Sequence, residues 1–172
     1  GCAVTAIDLT RAMLAEAKEN AGPLADEICF MEMNAEALSF APERFDAVIS
    51  RNLTWNLPHP DRAYAEWTRV LKKDGVLLNF DANYGITDFS NVEDLPENHA
   101  HNMLGNEMMR ECEEIKRQLP ISSYVRPAWD LETLGKLGFG KFSIDLGVSS
   151  RIYTKKDEFY NPTPLFIVCA EK

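Results

Sequence analysis

Four apolar segments of the 172-residue sequence are each followed by side chains that could bind a ligand. The first ends in Asp8, whose carboxylate could accept two hydrogen bonds from ribose hydroxyls. The second precedes Asn34, whose amide can both donate and accept at an adenine edge. Polar and aromatic side chains follow the other two, at 50–56 and 81–84. Together these four ends suit a nucleotide-sized ligand, although each alone is also typical of an ordinary strand end, cap or turn.

Two hydrophobic periods alternate along the chain and define the elements that must position these residues. Short apolar runs predict strands at 3–8, 28–33, 45–50, 76–82, 139–147 and 164–170. Helical spacing predicts a helix from a Thr10 cap to Gly22, one from His59-Pro60-Asp61 to Asp74-Gly75, and one from an Asp130 cap to Gly138. This alternation predicts an α/β fold with a mostly parallel sheet covered on both faces. The last two strands have no helical pattern between them and should pair antiparallel.

Residues 83–126 interrupt this alternation and are predicted to form an insertion. The segment is polar until about Glu97 and then shows an amphipathic helix that ends at Pro120. Its predicted buried face is Leu104, Met108, Cys112, Ile115 and Leu119. Its position after the fourth strand favours a cap over the substrate, more mobile than the sheet. A cover for the sheet or an oligomer interface is the equal alternative.

Composition narrows the class of protein. The net charge of −9 would repel a phosphate backbone, so nucleic acid is a poor partner. No apolar run approaches the roughly 20 residues that cross a bilayer, and the start has no signal-peptide pattern. The four cysteines lack metal-binding or redox spacing, so no metal is expected. They are predicted to be small buried residues of a cytoplasmic protein.

Several segments, taken together, resemble the class I S-adenosylmethionine-dependent methyltransferases that act on small molecules. The similarity is carried by residues 4–10 with Met13, Leu14 and Ala17, and by 34–40, 45–51, 67–77 and 134–139, which follow the family's order and spacing. The resemblance implies a Rossmann-like fold and S-adenosylmethionine as the cofactor. It also implies that the predicted strands lie side by side as 28–33, 3–8, an absent strand, 45–50, 76–82, 164–170 and 139–147.

The same resemblance implies roles for individual residues. Asp8 would hold the ribose, Leu9 and Met13 would pack near the adenosine, and Asn34 with Ala35 would recognise the adenine edge. The family more often has Asp where Asn34 stands. Arg51 would lie beside the methionine part of the cofactor. The substrate-side candidates are Asn52, Trp55 and Tyr84.

One departure from the family is serious. Its glycine-rich loop is absent, and Gly1 and Cys2 fall just before the family's second strand. We therefore expect residues 1–172 to be a single, N-terminally incomplete domain without the family's first strand. Strands 3–8 and 45–50 would then each present an unpaired edge, which favours self-association. Methyl transfer by this chain alone should be impaired.

The acceptor and the catalytic base stay open. Tyr84, His59, His99 and His101 could act as a base, but none is assigned; His99 and His101 are expected to face solvent on the insertion helix. One alternative function is a nucleotide-dependent oxidoreductase, because Asp8 would serve a nicotinamide ribose equally well. Another is a non-catalytic domain that keeps the fold and binds a partner through the insertion helix.

Overall fold

A computed structural model describes residues 1–88, 95–158 and 160–172, so part of the predicted insertion, 89–94, lies outside the described residues. The strands are β1 (Val4–Asp8), β2 (Ile28–Glu32), β3 (Phe45–Arg51), β4 (Leu71–Ala82), β5 (Lys141–Asp145) and β6 (Leu165–Glu171). The helices are α1 (Arg11–Ala21), α2 (Pro60–Val70), α3 (Ala100–Gln118), α4 (Ala128–Lys136) and α5 (Val148–Ile152). Every strand expected from the sequence is present, which confirms the α/β class.

The strands of the described residues form two sheets. β1 pairs in parallel with β2, from Val4 opposite Ile28 to Asp8 opposite Glu32. The other sheet has the order β3-β4-β6-β5, in which β3 and β4 are parallel and β6 is antiparallel to both neighbours. Within each sheet the strands follow the order that the family resemblance implies, and the antiparallel last pair is confirmed. The order breaks between β1 and β3, which no ladder joins in the described part of the chain.

Helices α2 and α4 cover one face of the four-stranded sheet. Leu77 of β4 and Val168 of β6 are fully buried on this face. The apolar side of α2 packs here, since Ala63, Trp67 and Val70 are buried, as is Leu71, the first residue of β4. Burial of these helix and strand side chains is the main stabilising contribution to the fold.

The opposite face of that sheet is less well covered. Ile49, Leu78 and Cys169 lie side by side in register and therefore share this face. Ile49 is 67% exposed, whereas Leu78 and Cys169 are half-buried. β1, predicted to be buried, is only partly so, because Val4 is 45% exposed and the strand has one partner, β2.

Several predicted helix boundaries are confirmed by their local chemistry. The Thr10 hydroxyl accepts a hydrogen bond from the backbone N–H of Met13 at 3.4 Å, as an N-cap does. Pro60 is the first residue of α2, where its missing N–H costs nothing. Gly22 and Gly138 follow helices with φ of 53° and 97°, which glycine adopts without strain.

The end of α2 was predicted too late. The helix ends at Val70 rather than at Asp74-Gly75, and Leu71 already pairs with Phe45 of β3. Val76 then pairs with Ala47, so residues 72–75 loop out between these two pairs. Asp74 takes a positive φ of 60° in this irregular part of the pairing.

The insertion helix is present as α3, but its predicted buried face is wrong. Leu104, Met108 and Ile115 are 41%, 49% and 50% exposed. The helix instead buries Met109, Glu113 and Lys116, and the side chains of the last two pair at 2.7 Å. Lys116 also donates to the backbone carbonyl of Thr87, so this charge pair links α3 to the segment after β4.

Two expectations near the C-terminus are also wrong. Asp130 is not a cap: α4 begins at Ala128, and Asp130 lies fully buried in its first turn against Arg126. The connection between the last two strands contains the short helix α5. It is only five residues long, which is too short to show a clear period in the sequence.

The cysteines are less buried than predicted. Cys2, Cys29 and Cys112 are exposed, and Cys169 is half-buried. The first two lie at or near the partly covered β1–β2 sheet, and Cys112 lies on the outward side of α3. Apolar neighbours in sequence therefore did not mean burial here.

Gly85 allows two backbone segments to meet, and its replacement should be destabilising. A Cβ at this position would lie 2.2 Å from the carbonyl oxygen of Ser122, a backbone atom that cannot rotate away. We expect Gly85→Ala to lower the free energy of unfolding by about 1–3 kcal/mol, the usual cost of overpacking. Urea denaturation measures this. The control is Gly135→Ala, where a Cβ meets no atom within 4 Å and should be tolerated; equal stability of the two variants would contradict the prediction.

Candidate cofactor and substrate site

The first group of predicted residues lies at the carboxyl edge of the β1–β2 sheet. Asp8 ends β1 opposite Glu32, the last residue of β2. The backbone N–H of Met33 donates to the carbonyl of Asp8 at 2.9 Å, which extends the pairing by one residue. Asn34 follows directly, so the structure brings Asp8 and Asn34 to the same edge. In open sheets of parallel strands, ligands bind outside the carboxyl ends of the strands.

The Asp8 carboxylate is held in a fixed orientation. Its Oδ1 accepts hydrogen bonds from the backbone N–H of Thr10 at 2.8 Å and from the Thr10 hydroxyl at 3.0 Å. Both bonds fall on one oxygen, which leaves Oδ2 to accept from a ligand. A positioned carboxylate of this kind fits a pair of ribose hydroxyls.

Asn34 is held in a similar way. Its Oδ1 accepts from the backbone N–H of Glu36 at 2.8 Å, an Asx turn that fixes the amide plane. The neighbouring Ala35 carbonyl accepts from the indole N–H of Trp67 at 3.1 Å, which ties this turn to α2. This hydrogen bond uses the amide oxygen and leaves the Asn34 amide nitrogen able to donate to a ligand.

Leu9 and Met13 flank Asp8 with apolar side chains that are largely open to solvent. Leu9 is 66% exposed and Met13 is 56% exposed. Leu9 directly follows Asp8, and Met13 lies in the first turn of α1. Their exposure is compatible with packing against an adenosine, which would cover apolar area that the chain itself leaves open.

The second group of predicted residues lies at the carboxyl edge of β3 and β4, on the other sheet. Arg51 is the exposed last residue of β3. Asn52 follows with a positive φ of 51°, and its carbonyl accepts from the indole N–H of Trp55 at 3.1 Å. The Trp55 and Tyr84 rings pack with centroids 4.7 Å apart. The structure thus brings Asn52, Trp55 and Tyr84 into one cluster.

Tyr84 is unsuited to act as a base. Burial raises the pKa of its phenol to about 12, so the group is protonated at neutral pH. Its hydroxyl donates to Asn52 Oδ1 at 3.3 Å and accepts from the Asn161 amide at 2.5 Å. These bonds and its 6% exposure make Tyr84 a wall of the cluster rather than a proton acceptor.

The histidines considered as bases are placed differently from one another. His59 precedes α2, as expected, and its backbone N–H donates to Glu36 Oε1 at 2.6 Å. His99 was expected to face solvent, but it is only 5% exposed, and its Nε2 lies 2.7 Å from the Tyr160 carbonyl. The side chain of His101 lies outside the described residues.

The sequence patterns did not predict the buried charged side chains that lie beneath this second group. Asp81 and Asp130 are fully buried, and Arg126 bridges them. The only sequence signal was the spacing of four residues between Arg126 and Asp130, which is shared by many exposed pairs. Proximity to Asp81, 45 positions earlier, is a tertiary contact.

The described residues contain neither a metal-binding cluster nor a membrane-spanning helix. Among those that the structure describes, no group of three or more His, Cys, Asp or Glu side chains could hold a metal ion. None of the described helices is both long enough and apolar enough to span a membrane.

Comparison with known proteins supports the family resemblance. Residues 1–79 match the family described as "Methyltransferase domain". Those residues include Asp8, Asn34 and the whole Arg51–Trp55 segment. This part of the chain is therefore similar to methyltransferase domains. The match includes every segment that carried the resemblance in sequence except residues 134–139.

Curated relatives match about half of this chain. It is 40% identical over 91 residues to a ubiquinone/menaquinone biosynthesis C-methyltransferase of Bartonella bacilliformis, which is 52% of this chain and 32% of the relative. It is 37% identical over 78 residues to a phosphatidylethanolamine N-methyltransferase of Cereibacter sphaeroides, which is 44% of this chain and 38% of the relative. The chain thus spans about a third of the length of these relatives.

Solved methyltransferase structures share the fold over nearly the whole chain. A putative methyltransferase of Bacillus halodurans matches with a TM-score of 0.59 and 22% identity, over 98% of this chain and 82% of that one. Phosphoethanolamine N-methyltransferase 2 of Haemonchus contortus, solved with S-adenosyl-L-methionine, matches with a TM-score of 0.62 and 18% identity, over 99% and 43%. At these identities the similarity establishes the fold alone.

Proposed function

We propose that this domain binds S-adenosylmethionine and serves methyl transfer to a small molecule. The observation that carries the proposal is the edge of the β1–β2 sheet, where Thr10 fixes Asp8 and an Asx turn fixes Asn34. The family match over residues 1–79 supports it. It favours methyl transfer over the oxidoreductase alternative, which the Asp8 carboxylate alone could not exclude.

The cofactor would supply an activated methyl group, so the chain's own residues need mainly to bind, orient and exclude water. Asp8 would accept from the ribose hydroxyls, and Asn34 and Ala35 would meet the adenine. Leu9 and Met13 would cover the adenosine. Arg51 would lie toward the methionine end, and Asn52, Trp55 and Tyr84 toward the acceptor. Helix α3 of the insertion, which Lys116 links to Thr87, is proposed as the cap.

We also propose that the 172-residue chain self-associates when it is alone. β1 and β3 each have one ladder partner in the described residues and one edge without a ladder. Ile49 adds an apolar side chain that is 67% exposed beside the β3 edge. Such edges favour pairing with a second chain. Partner binding through the exposed side of α3 has no comparable support.

Removal of the Asp8 carboxylate should weaken cofactor binding. We expect Asp8→Ala, in the natural protein that contains residues 1–172, to cost about 1.5–3 kcal/mol of S-adenosylhomocysteine affinity, the scale of a hydrogen bond to a charged group. Isothermal titration calorimetry measures this. The control is Asp46→Ala, an exposed carboxylate near the opposite end of the strands that pairs with Lys72. Unchanged affinity in Asp8→Ala would contradict the proposed function.

A further inference from the structure

Six buried polar side chains lie beneath the substrate-side cluster, and each is no more than 6% exposed. They come from the turn after β3, from α2, from β4 and from the start of α4. The six are Thr54, Tyr64, Asn79, Asp81, Arg126 and Asp130. Buried polar groups are stable only when they are hydrogen-bonded, and each of these six has a partner within the set.

One half of the set runs from the turn after β3 to α4. The Thr54 hydroxyl donates to Asn79 Oδ1 at 3.2 Å, and the Asn79 amide donates to the Tyr64 hydroxyl at 2.8 Å. The Tyr64 hydroxyl in turn donates to Asp130 Oδ1 at 2.5 Å. Thr54 is thereby linked to α4 through two intermediates.

The other half returns from α4 to the same turn. Arg126 donates twice to Asp130, at 2.7 and 2.6 Å, and once to Asp81 Oδ2 at 2.9 Å. The same Asp81 oxygen accepts from the backbone N–H of Trp55 at 3.0 Å. Since Thr54 and Trp55 are consecutive, the hydrogen bonds form a closed ring.

The contact between Asp81 and Trp55 has a consequence at the edge of the site. The Trp55 indole donates to the carbonyl of Asn52, which has a positive φ of 51°. A non-glycine residue keeps this conformation only when its surroundings hold it. Asp81 fixes the Trp55 backbone, Trp55 fixes the Asn52 carbonyl, and Asn52 directly follows Arg51.

We propose that Asp81 is a positioning residue, which sets the conformation of the Asn52–Trp55 turn through the Trp55 backbone N–H. It is fully buried and so does not itself touch a substrate. The proposal depends on the proposed function in one respect only, namely that this turn lines the methyl-transfer site. Burial raises the pKa of the Asp81 carboxyl while Arg126 opposes that shift, as expected for a carboxylate placed inside to hold a neighbour.

The test is hydrogen exchange of indole protons by NMR in the 172-residue chain. Asp81→Ala removes the acceptor of the Trp55 backbone N–H. It leaves Arg126 paired with Asp130, so no buried charge loses its partner and folding is expected. We expect the Trp55 indole proton to lose protection by on the order of tenfold, because the turn opens locally. The Trp67 indole, which donates to Ala35 at 3.1 Å, is the internal control and should keep its protection. Asp81→Asn, which can place an amide oxygen where Oδ2 lies, should restore most of the Trp55 protection.

The outcomes separate positioning from general stability. Selective loss at Trp55 with rescue by Asp81→Asn supports the proposal. Equal loss at Trp55 and Trp67 would show that Asp81 acts only on global stability, and retained protection at Trp55 would show that the turn does not depend on it; either result overturns the proposal. Because exchange is measured without a ligand, failure of S-adenosylhomocysteine to bind the natural protein would count against the proposed function alone.

Discussion

Replacement of Arg126 by alanine is expected to lower the free energy of unfolding by about 3–5 kcal/mol, the cost of breaking a buried ion pair on one side. The Arg126 side chain is 1% exposed, and its two partners, Asp81 and Asp130, are fully buried. Without the guanidinium, the carboxylates of Asp81 and Asp130 stay buried, and no cation in the ring of hydrogen-bonded side chains compensates their charge. Urea denaturation near neutral pH measures the loss. The control is Lys136→Ala, which breaks an exposed pair between Lys136 and Glu132 of α4 and should change the free energy of unfolding little.

The pH dependence of the Arg126→Ala variant gives a second, independent reading. Burial already raises the pKa of Asp81, and Arg126 is the main influence that lowers it. A carboxyl whose pKa is raised on folding stabilises the protein at low pH and loses that contribution as the pH rises through the folded-state pKa. The variant should therefore regain part of its stability, relative to the parent, between about pH 7 and pH 4. A stability deficit that stays constant or grows over that range would contradict this account.

The 172-residue chain alone is expected to bind S-adenosylhomocysteine with a dissociation constant no tighter than about 1 mM, which corresponds to about 4 kcal/mol. Asp8 and Asn34 lie at the edge of the β1–β2 sheet, whereas Arg51 ends β3 on the other sheet and Asn52 follows it. No ladder between β1 and β3 fixes these two groups relative to each other in the described residues. The family's glycine-rich loop, which lets the methionine end of the cofactor approach the backbone, is absent from residues 1–172.

Calorimetry on the chain, together with sedimentation, tests this expectation. Weak or undetectable binding with a sedimentation coefficient above that of the monomer would agree with two open strand edges. A micromolar dissociation constant for a monomeric chain would show that residues 1–172 hold both groups in place unaided, and both the expected impairment and the proposed self-association would then be wrong.

The sequence was sufficient for features that depend on neighbours along the chain. The Thr10 cap, the start of α2 at Pro60 and the stop at Gly138 follow from backbone chemistry that acts within a few residues. The strand segments and their order were predictable because near-continuous apolar runs mark buried strands and the family resemblance supplied the order. The residues proposed to bind the cofactor and acceptor stay predictions, which rest on the family resemblance and on their places at or shortly after the ends of strands.

Tertiary structure alone decided which faces were buried and which distant charges met. The apolar side of α3 is exposed because Glu113 and Lys116 pair with each other and Lys116 reaches Thr87, a choice that helical periodicity cannot show. Asp130 has the sequence position of a cap, but it is buried and paired with Arg126. Asp81 meets Arg126 across 45 positions and Trp55 across 26, so the ring exists only after α2, β4 and α4 have packed. Local propensity acts over a few residues, whereas the placement of a buried charge depends on which partners the whole fold brings within hydrogen-bond distance.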